Sequence, residues 1–214
     1  MVVAMRVLDL FSGTGSIKNV ATSLGMEVVS LDINEKLRKP DLMVDIMKWD
    51  YTTYRPGHFD IIFAGVPCTA YSALQVVNKS PERRQKDIEE SNKIVKRTLK
   101  IIEYFKPTTW FLENPASGSL KDQKFMKKLP YYIVSYCKYG FSYRKNTQIW
   151  TNLEGFDAKR CRRDCDSLDP GGRKHISAIG VRSDTPQSRT SSLAQKFAYP
   201  PKLIHELLNK INRI

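Results

Sequence analysis

No apolar run in the sequence approaches the roughly 18 residues that a membrane-spanning helix requires, so membrane-embedded functions are set aside. Cysteine is scarce. Cys68, Cys137, Cys161 and Cys165 are the only four in 214 residues, unevenly spaced, which excludes a disulfide framework and suits reduced thiols in an intracellular protein, cytoplasmic or nucleoid/nuclear according to source. The opening MVVAMRVLDL has too short an apolar region and no cleavage pattern for a secretory signal. No internal repeat and no low-complexity tract interrupts the chain, and residues 1–214 read as one domain able to bury a core. Negative charge is also in short supply: 22 acidic residues face 35 Lys plus Arg, a formal net charge of +13. Such an excess favours a polyanionic partner, nucleic acid ahead of an anionic membrane surface.

What is present alternates. MRVLDLF predicts a strand, SGTGS a turn, and a helix follows to about Leu24, where Gly25 stops it. MEVVSLDI, LMVDI and FDIIFAG predict three more strands, TTWFLEN a fifth, and YYIVSYCKYG with NTQIWTN a further pair. Between about Glu82 and Phe105 the period is helical, with Ile88, Val95, Leu99, Ile102 and Phe105 on one face. This order implies an α/β fold: a mostly parallel sheet with helices on both faces. At Asp157 the composition changes. DAKRCRRDCDSLDPGGRKH and the polar RSDTPQSRTSS predict a basic surface excursion over about 157–192, before a closing helix in LIHELLNKI.

Two stretches carry chemistry. In LDLFSGTGS, Gly13 and Gly15 allow a tight turn and close approach of a ligand to the positive end of a helix. Asp32 closes the next strand at about the 20-residue spacing of a ribose-binding acid, which points to an adenosine-type cofactor. The missing third glycine of a dinucleotide turn leans away from NAD. Asp9 is placed to hold the glycine turn and Asp45 to reach an adenine. In FAGVPCTAYS, Pro67 and Cys68 sit at the carboxyl end of a buried strand, where a stiff turn can aim a nucleophilic thiol, although buried cysteines are commonly inert. WFLENP puts Glu113 at the same edge, as a candidate general acid beside that nucleophile.

DLFSGTGS, GVPCTAYS and FLENP, in this order and at these intervals, resemble the DNA (cytosine-5) methyltransferases over roughly residues 5–152, with a weaker match at the helix after FAYPP. The resemblance implies a Rossmann-like fold that uses S-adenosylmethionine and acts on DNA. Phe11 would stack on the adenine, Asp32 hold the ribose and Asp45 contact the adenine amine. Cys68 would add to cytosine C6, which makes C5 nucleophilic toward a sulfonium methyl. Protonated Glu113 would hydrogen-bond ring N3, and loss of the C5 proton would expel the thiol. The base must be flipped out or already single-stranded.

The sequence departs from the family at Tyr71-Ser72, where Phe-Ser is usual, at Pro115 after Glu113-Asn114, and at Ser16 in the glycine turn. A Gln-x-Arg-x-Arg strand is absent; Arg144 and Lys145 are the nearest basic residues and are assigned to the substrate. Ser72, Arg83 and Arg84 in the loop after Cys68, and Arg162 and Arg163 in the excursion, are expected to contact nucleic acid. Only a short stretch replaces the long target-recognition region of related enzymes, so RNA or a free nucleotide stays open as the substrate, and an inactive nucleic-acid-binding module of the same fold stays open as the function. Cys161, Cys165 and His175 form C-x3-C-x9-H, a loose zinc spacing whose fourth ligand is left open between Cys137 and an Asp; the alternative is two ordinary thiols in a basic loop.

Overall fold

The first half of the chain builds β1 (Arg6–Leu10), α1 (Ser16–Ser23), β2 (Glu27–Asp32), β3 (Leu42–Met43) and β4 (Ile61–Gly65). Then follow α2 (Pro81–Phe105), β5 (Thr109–Pro115), β6 (Tyr131–Ser135), β7 (Asn146–Thr151), α3 (Leu193–Phe197) and α4 (Pro201–Ile211). These come from a computed structural model that describes residues 4–72, 79–177 and 193–211. Residues 178–192 of the expected excursion lie outside the described residues. No described helix is long and apolar enough to cross a membrane.

The strands form one seven-stranded sheet in the order β3-β2-β1-β4-β5-β7-β6, parallel from β3 through β5. β7 runs antiparallel to both β5 and β6. Both faces of the central strands are covered, which is why they read as continuous apolar runs. One face carries Val7, Ile61, Phe63 and Phe111 against α1 (Ile17, Val20, Ala21) and α4 (Leu203, Leu207, Leu208). The other carries Leu8, Leu10, Ile62 and Leu112 against α2 (Val95, Ile101, Ile102, Phe105). Phe105 meets Trp49, Tyr51, Phe59 and Tyr104, so its truncation to Ala would cost about 3–5 kcal/mol.

The helix ends follow local chemistry. Ser80 caps α2 by accepting from the Arg83 N–H, Pro81 opens the first turn, and Lys106 stops the helix in a left-handed conformation before Pro107. Two expected strands are shorter than their sequence. β3 stops at Met43, because Asp45 turns the chain with its carbonyl accepting from Lys48 and Trp49. β6 stops at Ser135, and Tyr136–Tyr139 wind into a 3-10 turn.

Candidate active site

The sheet order reverses between β1 and β4, so the carboxyl ends of β1, β2, β4 and β5 open on a common edge. A cleft of about 1050 Å³ lies there. Phe11, Gly13 and Asp32 line one part of it, and Pro67, Cys68, Glu113, Arg144 and Lys145 another.

At the first end, Asp32 accepts from the Gly13 N–H at 2.9 Å through Oδ2 and from the Asn34 N–H at 3.2 Å through Oδ1. Phe11, Gly13 and Gly15 all take positive φ (61°, 48° and 70°), and a Cβ on Gly15 would run into the Arg38 side chain. For Phe11 this is an uncommon conformation, which swings the backbone round at the mouth of β1. Gly15 does not line the cleft; it caps α1, and its N–H donates to the Ser12 carbonyl. Asp9 does not line the cleft either. It is buried, with Oδ2 unpaired among the described residues, and burial first, then the charge of Asp32, push its carboxyl up to about 8 against the opposing pull of Lys18 and Arg38. Asp45, expected to touch an adenine, caps a turn by accepting from the Met47 N–H and stands outside the cleft lining, because β3 ends two residues before it.

At the second end, Gly65 of β4 lies in register with Glu113 of β5, so the Pro67–Cys68 turn and the carboxylate leave the sheet side by side. Buried Asn114 ties them together: its amide donates to the Val66 carbonyl at 3.1 Å, just ahead of Pro67. Cys68 heads a 3-10 turn and accepts the Tyr71 N–H on its carbonyl. Its thiol is pushed above the ordinary value, chiefly by burial and next by Glu113, with Lys145 pulling the other way. Glu113 Oε2 accepts from the Tyr199 hydroxyl at 3.0 Å, while Oε1 has no hydrogen-bond partner among the described residues and lies 3.7 Å from Lys145 Nζ. Lys145 was expected to contact the substrate, and it lines the cleft. Its ammonium turns inward there, 4.8 Å from the Tyr136 ring centroid.

Sequence reasoning missed Tyr199 and Asn114. FAYPP and FLENP were both noted, but no role fell to the tyrosine or to the residue after the glutamate. Tyr199 is half-buried, and desolvation of its phenol together with Glu113 raises it well above the ordinary value, so it remains a donor. Its approach explains Gly65, since a Cβ there would collide with the Tyr199 hydroxyl.

The expected nucleic-acid contacts divide. Arg162 and Arg163 join Arg144, Arg160 and Cys161 around a groove of about 390 Å³. Ser72 ends the 3-10 turn and lies outside the cleft lining. Arg83 and Arg84 lie in the first turn of α2 rather than in a loop, because Ser80 and Pro81 start the helix ahead of them, and Arg83 pairs with Asp87 at 3.3 Å. Cys161, Cys165 and His175 do converge, and Cys137 completes the group: the ligand atoms of all four lie within 4.8 Å of one another.

Residues 5–147 match the family described as C-5 cytosine-specific DNA methylase. The chain belongs to this family. It is 33% identical, over 96% of its own length and 99% of the other's, to "Probable DNA (cytosine-5)-methyltransferase" of Frog virus 3 (isolate Goorha). A crystal structure described as that of a "putative DNA modification methyltransferase" encoded within an E. coli prophage shares the fold, with a TM-score of 0.52 and 16% identity. That match covers 69% of this chain and 46% of the other. The departures from the methylase pattern have physical accommodations here. The Ser16 hydroxyl accepts the Tyr199 N–H at 3.2 Å and so docks the segment leading into α4. Tyr71 is buried, with its added hydroxyl donating to Asn92 of α2 at 2.9 Å. Pro115 ends β5, and the ladder resumes beyond it, where the Ala116 N–H donates to Asn146.

Proposed function

We propose that this chain transfers a methyl group from S-adenosylmethionine to C5 of cytosine in DNA through a covalent bond between Cys68 and C6. The observation that carries the reading is the joint lining of one cleft by Phe11, Gly13 and Asp32 at one end and Cys68 and Glu113 at the other. The residues present fit the cofactor. Each Asp32 oxygen accepts one backbone N–H, which leaves lone pairs for ribose hydroxyls, and the half-buried Phe11 offers a ring face for the adenine. When bound, S-adenosylmethionine supplies an electrophilic methyl group.

The remaining steps belong to side chains. Cys68, aimed by the fixed φ of Pro67 and by the Asn114 tether, forms the bond to C6, and the electron pair released in the ring concentrates at C5. Tyr199 donates to Glu113 Oε2, and Oε1, buried without a hydrogen-bond partner among the described residues, would carry the proton that N3 of the base accepts once the base enters the cleft. Lys145, beside both, offsets negative charge as the thiolate forms. After methylation the C5 proton passes to solvent water, the C5–H pair forms the C5–C6 double bond, and the pair of the Cys68–C6 bond returns to sulfur. The target base reaches this cleft only when unstacked, and the arginines beside the cleft are suited to the phosphates around it.

An oligonucleotide carrying 5-fluorocytosine tests the reading, because fluorine cannot depart as a cation and the cycle stalls at the adduct. With S-adenosylmethionine present, the protein should form a complex that survives denaturing gels, with the bond on Cys68. Duplex DNA, single-stranded DNA and RNA are compared in parallel. No adduct on any of them would favour a binding module without turnover, and trapping on RNA alone would replace DNA as the substrate.

A further inference from the structure

The basic loop that follows β7 has little apolar packing to hold it in place. From Arg162 to Ile176 no residue is buried, and the segment contains no helix or strand, only an isolated bridge between Leu168 and His175. Burial therefore contributes little against the entropy of ordering it. At its root, however, four side chains of metal-binding type meet. Cys137 comes from the 3-10 turn after β6, Cys161 and Cys165 from one side of the loop, and His175 from the other. Cys137 and Cys161 are buried and the other two half-buried.

The spacing favours a shared cation over hydrogen bonding. The Cys161 and Cys165 sulfurs both lie 3.4 Å from the same His175 nitrogen, Nε2. A neutral ring nitrogen has either one proton or one lone pair, so it cannot make a full hydrogen bond to each of two thiols. Tetrahedral zinc, with bonds of about 2.3 Å to sulfur and 2.0–2.1 Å to nitrogen, separates a sulfur ligand from a nitrogen ligand by about 3.5 Å. The backbone supports the same arrangement. Arg163, between the two loop cysteines, takes a left-handed φ of 65°, and the N–H groups of Arg163 and Asp164 point at the Cys161 sulfur. Consecutive N–H groups turned in this way form a concavity suited to a thiolate. Lys138 holds the turn from outside through Asp164, at 3.1 Å.

We propose that Cys137, Cys161, Cys165 and His175 form a closed Cys3His zinc site that fastens the basic loop to the end of β6. Three thiolates and an imidazole suit zinc over the oxygen-seeking magnesium and calcium, and four protein ligands leave no open position for catalysis. On binding, each thiol gives up its proton and the sulfur lone pair makes the bond to the metal. The consequence lies next door: Cys161 lines the same groove as Arg144, Arg160, Arg162 and Arg163, so the metal would set the spacing of the arginines beside the cleft.

The test uses the full chain, purified under reducing conditions without chelator. Metal analysis should find about one zinc per chain. Replacement by cobalt(II) should give thiolate-to-cobalt charge-transfer absorption and the intense visible bands of a tetrahedral ion. Cys165→Ser and His175→Ala alter half-buried positions, and circular dichroism would verify that both variants fold. Each should weaken cobalt binding by more than the roughly 10–100-fold that losing an outer-sphere partner costs. Three results would overturn the site: no stoichiometric metal after reconstitution of the reduced protein, wild-type cobalt affinity in both variants, or a disulfide within the cluster. None of these readouts depends on methyl transfer, so an inactive protein that loads zinc separates this proposal from the catalytic one.

Discussion

The Tyr199 hydroxyl donates to Glu113 Oε2 at 3.0 Å, joining residues 86 positions apart. The bond links the segment that leads into α4 to the carboxyl edge of the sheet, and it assigns the two carboxylate oxygens different surroundings. Tyr199→Phe keeps the ring and removes the donor. A hydrogen bond to a charged group contributes about 1.5–3 kcal/mol, so the rate of adduct formation should fall about 10–100-fold. Cofactor affinity should hold, because Phe11 and Asp32 are untouched. Single-turnover methylation and cofactor titration on the same variant check both expectations, and an unchanged rate would remove Tyr199 as a positioning residue.

The Cys68 thiol gives a second test, independent of substrate. Burial and the Glu113 charge raise its pKa, and Lys145 lowers it. Alkylation by iodoacetamide requires the thiolate, so at neutral pH it should proceed more slowly than for an ordinary exposed cysteine and should quicken as pH rises past the usual thiol range. Glu113→Gln should move that profile toward lower pH, and Lys145→Met toward higher pH. Peptide mapping isolates Cys68 from the other three thiols. Shifts of the opposite sign would show that the charges around the thiol are assigned wrongly.

Much of the fold was legible from the sequence because its signals are local. β1, α1, β2, β4 and α2 are bounded by Gly, Pro or a capping Ser beside an apolar period, and each appears within a residue or two of expectation. β6 shows where such signals run out. YYIVSYCKYG is β-prone throughout, but past Ser135 the ladder gives one last bond, from the Tyr136 N–H to the Lys145 carbonyl, and the chain winds into a 3-10 turn. That turn carries Cys137 to the metal cluster, which periodicity alone could not show. Cys68 and Glu113 were legible as motif residues at strand ends. Tyr199, Asn114 and the inward reach of Lys145 depend on which strands become neighbours, and β7 between β5 and β6 is not a sequential pairing.

Asp9 predicts a pH effect on stability. Its folded-state pKa of about 8 lies above the ordinary carboxyl value, so the native protein holds a proton that the unfolded chain releases. The favourable contribution is complete below the unfolded pKa and is lost as pH rises from about 4 to about 8. Asp9→Asn, close in size and always neutral, should lack this loss. Urea unfolding of both proteins at about pH 5 and about pH 8 should show wild type losing stability relative to the variant. Parallel changes in the two proteins would mean that Asp9 is ionised in the fold.

The arginine groove predicts how affinity responds to salt. Each phosphate neutralised on duplex DNA contributes about −0.9 to the slope of log affinity against log salt. Arg160 and Arg162 line the groove beside the cleft and have exposed side chains, so Arg160→Ala or Arg162→Ala should each flatten the slope by about 1. Arg83 is the internal control. It is also exposed, but it pairs with Asp87 in the first turn of α2 and lines neither the cleft nor the groove, so Arg83→Ala should change the slope much less. Fluorescence anisotropy with one labelled duplex, from about 50 to about 200 mM salt, resolves slopes that differ by one phosphate. Equal effects at Arg83 and Arg160 would mean that DNA follows the overall charge of +13, and the groove would lose its assignment as the phosphate track.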